Sequence, residues 1–172
     1  HPFKFNNWIF AHNGGVDKKS LLKSLKPEYH DRLFNNDKCT DSEVYFHFLL
    51  QNIDENNGDI IKGICYGLEK IQNELGHGGL NFLLSDGKRL YAYRNGNSLY
   101  FLERNHEDFN DYSLFEQLSK ETQLLIRSKS LNREKAVIIC SEEISDEPGW
   151  ELMENGQLLI IDKNLNIQEE LI

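Results

Sequence analysis

A chain of 172 residues with 39% hydrophobic content can bury one sizeable core, and it reads as a single domain over residues 1–172. Its formal net charge of −9, with no Lys/Arg cluster, argues against nucleic acid and anionic membrane as partners, because both require a basic face. No apolar run approaches the roughly 20 residues that span a bilayer, and no signal-peptide pattern is present, so a cytoplasmic setting is expected.

In chain order, Phe3 to Ala11 (FKFNNWIFA) is aromatic-rich and predicts one strand feeding a glycine turn at Gly14-Gly15. Asp17 predicts the cap of a short helix carrying Leu21, Leu22 and Leu25, with Pro27 closing it. Residues 28 to 39 read as a polar loop. A second helix is predicted from near Thr40 to about Ile53. In a third, Ile61, Ile64, Leu68, Ile71 and Leu75 form one buried stripe and Gly76 is the expected C-cap. Gly76-His77-Gly78-Gly79 superficially suggests a phosphate loop. No Lys-Ser/Thr follows it, however, and it is read as a flexible helix-to-strand connection.

Short strands follow: Leu80–Leu84, a turn at Asp86-Gly87, Leu90–Tyr93, then a hairpin turn at Asn95-Gly96 leading into Leu99–Leu102. From Glu103 to Glu134 the chain is polar, read as a loop with a helical piece near Leu114–Ile126. Ala136–Cys140, Leu158–Ile161 and Leu165–Gln168 complete the strands. Helices beside a run of antiparallel strands predict an α+β domain.

Cys39, Cys65 and Cys140 lie far apart with no CxxC, so neither a disulfide framework nor a zinc site is suggested. The six histidines show no HExxH, and neither metal nor cofactor is expected. Two constellations remain. His12-Asn13-Gly14 ends the first strand. An Asn amide and a glycine N–H arriving together are the two donors of an oxyanion hole, and Asn-Gly is equally a common turn dipeptide. Thr40-Asp41-Ser42-Glu43 is a capping box in which Thr40 caps the helix and Glu43 reaches back. Asp41 complements the helix dipole and can also hold a substrate ammonium. Ser141-Glu142-Glu143 reads as a solvated strand end.

A strand ending in HNG followed by a helix opening on TDSE resembles the class II glutamine amidotransferases. The opening His1-Pro2, the stretch Leu80 to Gly87, Cys140-Ser141-Glu142 and Trp150 with Asn155-Gly156 are similar to the small stand-alone branch of that family. The resemblance spans essentially the whole chain. It implies a four-layer αββα sandwich of the N-terminal-nucleophile hydrolase type. It also implies that Asn13 (side chain) and Gly14 (N–H) form the oxyanion hole, that Asp41 binds the α-ammonium of glutamine, and that His1 lies beside the bound substrate.

The family's nucleophile is an N-terminal cysteine whose own amine is the general base, and an arginine clamps the substrate carboxylate. Neither has a matching position here, and Cys39, Cys65 and Cys140 have no free amine. With His1 in place of Met, the expectation is an N-terminally incomplete domain whose first strand lacks neighbours and leaves an uncovered edge. The implied activity is release of ammonia from glutamine, used by a separate acceptor protein. The alternatives are hydrolysis of another γ-glutamyl amide, or a non-catalytic binding or scaffold remnant of the fold.

Overall fold

Two antiparallel sheets divide the strands of the computed structural model, which describes residues 1–34, 38–104, 135–144 and 148–172. The larger has six strands in the order β1 (Phe3–Phe5), β2 (Trp8–Val16), β3 (His77–Ser85), β4 (Leu90–Tyr93), β8 (Gln157–Ile161) and β9 (Ile167–Leu171). The smaller has β5 (Tyr100–Arg104) between β6 (Ala136–Cys140) and β7 (Glu151–Leu152). The helices are α1 (Lys18–Ser24), α2 (Pro27–His30), α3 (Asp41–Glu55) and α4 (Ile60–Glu74). The helical piece predicted near Leu114–Ile126 lies outside the described residues.

Side chains alternate across the large sheet with the period of two that a strand imposes. Phe10, Leu80, Phe82, Leu84, Tyr91, Tyr93, Leu158 and Ile160 are buried together with α1 to α4 in one core. Ala92, Leu159 and Ile161, from the opposite face, are buried with Leu99, Phe101 and Met153 in a second core. The described residues therefore supply three layers, helices on sheet on sheet.

Helix α3 is buried on every side from Ser42 to Ile53 because the run VYFHFLL is apolar all round except at His47. Helix α4 buries Ile64, Leu68 and Ile71 of the predicted stripe, while Ile61 and Leu75 are half-buried. What the periodicity does not report is Gly63 and Gly67 between them. A Cβ on Gly63 would stand 2.4 Å from the Ile53 Cα, so that glycine is what lets the two helices approach.

Several expectations are corrected. Phe3 to Ala11 is two strands, turned at Asn6-Asn7 so that Phe3 faces Phe10 and Phe5 faces Trp8. The first strand is thus not bare: β3 pairs along it from Ile9 to Val16 and β1 covers Trp8–Phe10 on the other side. Beyond Phe10 that second edge is open among the described residues. The predicted turn at Gly14-Gly15 is strand, with an irregularity between Gly14 and Val16. Pro27 does not close α1 but opens α2, where its missing N–H costs nothing. Gly76 takes no left-handed cap conformation, and α4 ends on an extended Leu75. The glycine run after it is not a loop: His77, Gly78 and Gly79 begin β3.

The Asp86-Gly87 turn does join β3 to β4, with Ser85 opposite Leu90. Asn95-Gly96 closes no hairpin, because β4 and β5 belong to different sheets. It instead carries the chain across from one sheet to the other, with Gly96 at φ +100°.

Candidate functional site at the end of the second strand

Three consecutive residues of β2 point three ways. His12 is buried toward the helices, stacked on Phe10 and edge-on to Tyr45 at 5.1 Å. Asn13 falls on the opposite face and lines a cavity of about 180 Å³ between the sheets, with Ala11, Asn81, Leu83, Leu99, Ile139, Cys140 and Ser141. The Asn13 carbonyl accepts from the Asn97 amide at 3.2 Å, and its own side-chain oxygen lies 3.5 Å from the same nitrogen. The Asn13 amide nitrogen has no acceptor among the described residues.

Gly14 is held by close packing. A Cβ there would lie 1.7 Å from the Gly79 carbonyl oxygen, a clash with main chain that no side chain survives. Its N–H direction follows from the ladder. Leu80, the partner of Gly14, gives its N–H to the Asn95 carbonyl at 2.8 Å, away from β2. Gly14 and Leu80 are therefore a non-hydrogen-bonded pair. The Gly14 N–H points instead to the edge of β2 that β1 leaves open.

The same edge receives the start of α3. Thr40 Oγ1 accepts from the Glu43 N–H at 3.1 Å, the expected cap. The reciprocal half of the capping box is absent among the described residues: the Glu43 carboxylate accepts from the Phe34 N–H at 2.8 Å, tying the preceding loop to the helix. Asp41 Oδ2 accepts from the Val16 N–H at 3.2 Å, and Oδ1 from the Ser42 N–H at 2.8 Å. Asp41 thus stands beside Gly15 and Val16, one step beyond Gly14 along the open edge.

His1 is exposed and packs edge-on to Phe3 at 4.8 Å. It precedes β1, whose pairing with β2 ends at Phe3 opposite Phe10. Asn13, Gly14 and Asp41 thus lie at one end of β2, whereas the contact recorded for His1 is with Phe3.

Sequence reasoning missed the polar scaffold behind these residues. Asn81 is buried opposite Asn13; its amide donates to the Asn97 and Ser98 carbonyls at 3.1 Å each and accepts from the Asn95 N–H at 2.8 Å. Asn155 accepts from the Gly96 N–H at 2.8 Å, and Ser98 Oγ donates to the Ser141 carbonyl at 2.7 Å. An Asn inside the apolar run LNFLL was the available signal, since buried polar groups in strands are there for their hydrogen bonds.

Cys39 is buried, and burial pushes the Cys65 and Cys140 thiols above their ordinary value. Among the described residues no group of three or more His, Cys, Asp or Glu is placed to hold a metal, and no helix is long and apolar enough to cross a membrane.

A family profile described as class II glutamine amidotransferases matches residues 1–168. The chain belongs to the class II glutamine amidotransferases. A Haemophilus influenzae protein provisionally named a glutamine amidotransferase is 25% identical over 98% of this chain; the chain spans 56% of that relative's length. Among solved structures, a glutamine aminotransferase class-II domain protein from Silicibacter pomeroyi aligns with 99% of this chain and 70% of its own, at TM-score 0.64 and 24% identity. The Bacillus subtilis glutamine phosphoribosylpyrophosphate amidotransferase aligns with 98% of this chain and 30% of its own, at TM-score 0.54 and 15% identity. At these identities the solved structures speak for the fold, a mixed architecture of helices and antiparallel sheets.

Proposed function

We propose that this chain forms the oxyanion and ammonium ends of a site that hydrolyses glutamine to glutamate and ammonia through a cysteine thioester. The nucleophile is supplied from outside residues 1–172. The observation that supports this most is convergence: an uncommitted Asn13 amide, an outward Gly14 N–H and the Asp41 carboxylate share one end of β2. In this reading the cysteine sulfur adds to the γ-carbonyl carbon, and Asn13 and Gly14 stabilise the charge on its oxygen. The carbon–nitrogen bond then breaks as the amine of the nucleophile's own residue delivers a proton to the departing ammonia. Water cleaves the thioester, releasing glutamate. Asp41 holds the α-ammonium throughout, His1 flanks the substrate, and the ammonia passes to an acceptor protein. The four-layer αββα sandwich is part of the same proposal.

The test is glutamine turnover by the full-length protein and by Asp41→Asn. Helix α3 keeps its Thr40 cap in that variant, so the fold should persist. Loss of the counter-charge to a desolvated ammonium should cost about 2–5 kcal/mol in glutamine use. Full activity in Asp41→Asn would leave Asp41 with a helix-dipole role alone.

A second reading has one observation in its favour. The cavity beside Asn13 is floored by Ala11, Leu83, Leu99 and Ile139, more apolar room than ammonia occupies. That room suits a γ-glutamyl amide with a larger leaving amine. A panel of γ-glutamyl amides separates the two: higher kcat/KM for alkyl or aryl amides than for glutamine favours the second reading.

A further inference from the structure

Between the two halves of the proposed site runs a chain of contacts that begins and ends on main chain. His12 Nε2 lies 3.2 Å from the Gly79 carbonyl oxygen, and His12 Nδ1 lies 2.9 Å from Ser42 Oγ. Ser42 Oγ in turn lies 3.4 Å from Asp41 Oδ1, whose strong bond is to the Ser42 N–H. A carbonyl only accepts, so Nε2 must carry the imidazole proton and Nδ1 must be the bare acceptor. The single Ser42 hydroxyl proton is then committed to Nδ1.

The consequence falls on Asp41. With its proton pointed at His12, the Ser42 hydroxyl cannot donate to Asp41 Oδ1, and that oxygen, which accepts from the Ser42 N–H, keeps its second lone pair for a ligand cation. At the other end, the Nε2–H holds the Gly79 carbonyl, the very group packed against the Cα of Gly14. The imidazole is buried among Phe10, Tyr45 and Ser42, and burial pushes its basicity below the ordinary histidine value, which keeps the bare Nδ1 in place near neutrality.

We propose that His12 is a positioning residue for glutamine binding, which holds the Ser42 hydroxyl off Asp41 so that the carboxylate is free for the substrate ammonium. This rests on the assignment of Asp41 given above. His12 touches no substrate in this scheme. Replacing it by an apolar side chain frees the Ser42 hydroxyl to turn onto Asp41, where it competes with the ammonium as a donor to the same oxygen.

The experiment is steady-state glutamine hydrolysis by the full-length protein, with four variants checked for folding by thermal unfolding. His12→Leu should raise KM about tenfold, the weight of one competing charge-assisted hydrogen bond, with a smaller change in kcat. Ser42→Ala should alter KM by less than about threefold, since it removes both donor and competitor. The double variant His12→Leu/Ser42→Ala should recover most of the KM lost in His12→Leu. His12→Gln, whose amide can donate to Gly79 and accept from Ser42, should stay near wild type.

A merely structural His12 predicts the opposite pattern: the double variant would be no better than His12→Leu. That result, or an unchanged KM in His12→Leu, overturns the proposal while leaving the glutamine site standing. Absence of glutamine turnover in the wild type overturns the site itself. Imidazole ¹⁵N shifts give a measurement that needs no variant. They should report an Nε2–H tautomer for His12 at neutral pH, and an Nδ1–H tautomer would overturn the proposal even if His12→Leu failed to fold.

Discussion

The two faces of β2 are built on opposite terms. Toward the helices, Phe10 is fully buried, stacked on Phe46 at 5.2 Å and in contact with Tyr45 and Phe82, in a core closed on all sides. Toward the small sheet, Ala11 and Asn13 line an open cavity whose walls are joined by side-chain amides and main chain. One strand thus presents a closely packed face to the helices and an open one to the small sheet, displaced by a single residue. On the proposed function, stability and chemistry fall on alternate positions, and substitutions on the two faces should have separable effects.

The sharpest separation is between neighbours on that strand. Phe10→Ala removes an aromatic ring from close-packed surroundings and should destabilise the protein by about 3–5 kcal/mol in urea unfolding. Asn13→Ala removes an exposed amide and should leave the unfolding midpoint nearly unmoved. Its effect is instead on turnover: kcat should fall by roughly 10²–10³, about 2.7–4 kcal/mol in activation free energy. The comparison breaks if Asn13→Ala unfolds as readily as Phe10→Ala, or if it turns glutamine over at the wild-type rate.

That alternation explains what could be read in advance. The start of α3, the stripe of α4, the β3–β4 turn and the strands Ala136–Cys140 and Gln157–Ile161 were legible because each rests on local periodicity or a nearby cap. By contrast, β7 was not foreseen, and the last strand, expected at Leu165–Gln168, lies at Ile167–Leu171. The Asn95-Gly96 turn misled because hairpin chemistry specifies a reversal and not which sheet receives the next strand; that is set by Asn81 and Asn155, which are remote in sequence. The Gly76 to Gly79 run looked like a loop because glycine is a poor strand former. In the fold, Gly79 sits under Gly14 and Asn97, where a Cβ would meet the Asn97 amide at 2.8 Å. For the site, Asn13, Gly14 and Asp41 could be named from motifs, but the inward role of His12 and Ser42 required the register.

Acid provides a test of the helix-facing side alone. His47 is 3% exposed, its Nδ1 has no partner among the described residues, and the Arg32 guanidinium is nearby. Burial first, and Arg32 second, lower its pKa from 6.5 to about 4. The unfolded chain then takes up a proton near the ordinary value that the folded chain refuses until about 4. Between those values the unfolded state binds more protons, so stability is complete above about 6.5 and falls with pH below it. By pH 5 the loss from this residue should be roughly 2 kcal/mol. His12, whose pKa is lowered in the same direction, adds to it. His47→Phe should flatten the difference between urea midpoints at pH 7 and pH 5 relative to wild type. An unchanged pH slope in that variant would mean that His47 meets water in the folded state.

The smallest effect bears on whether the two roles at the start of α3 can be separated at all. Thr40 and Asp41 are adjacent, yet Thr40 Oγ1 serves the helix by accepting the Glu43 N–H, while Asp41 turns to the open edge of β2. Thr40→Ala should therefore cost about 1 kcal/mol of stability, the ordinary worth of an N-cap, and Thr40→Ser should restore it. Glutamine KM should stay within about twofold in both, because Asp41 keeps its bonds from Val16 and Ser42 when the cap is lost. If Thr40→Ala raises KM as far as Asp41→Asn does, the cap is what holds the carboxylate in place, and the helix start is one functional unit. If stability falls and KM does not, the β2 edge alone positions Asp41, and the boundary between structure and chemistry runs between two consecutive residues here as it does at His12 and Asn13.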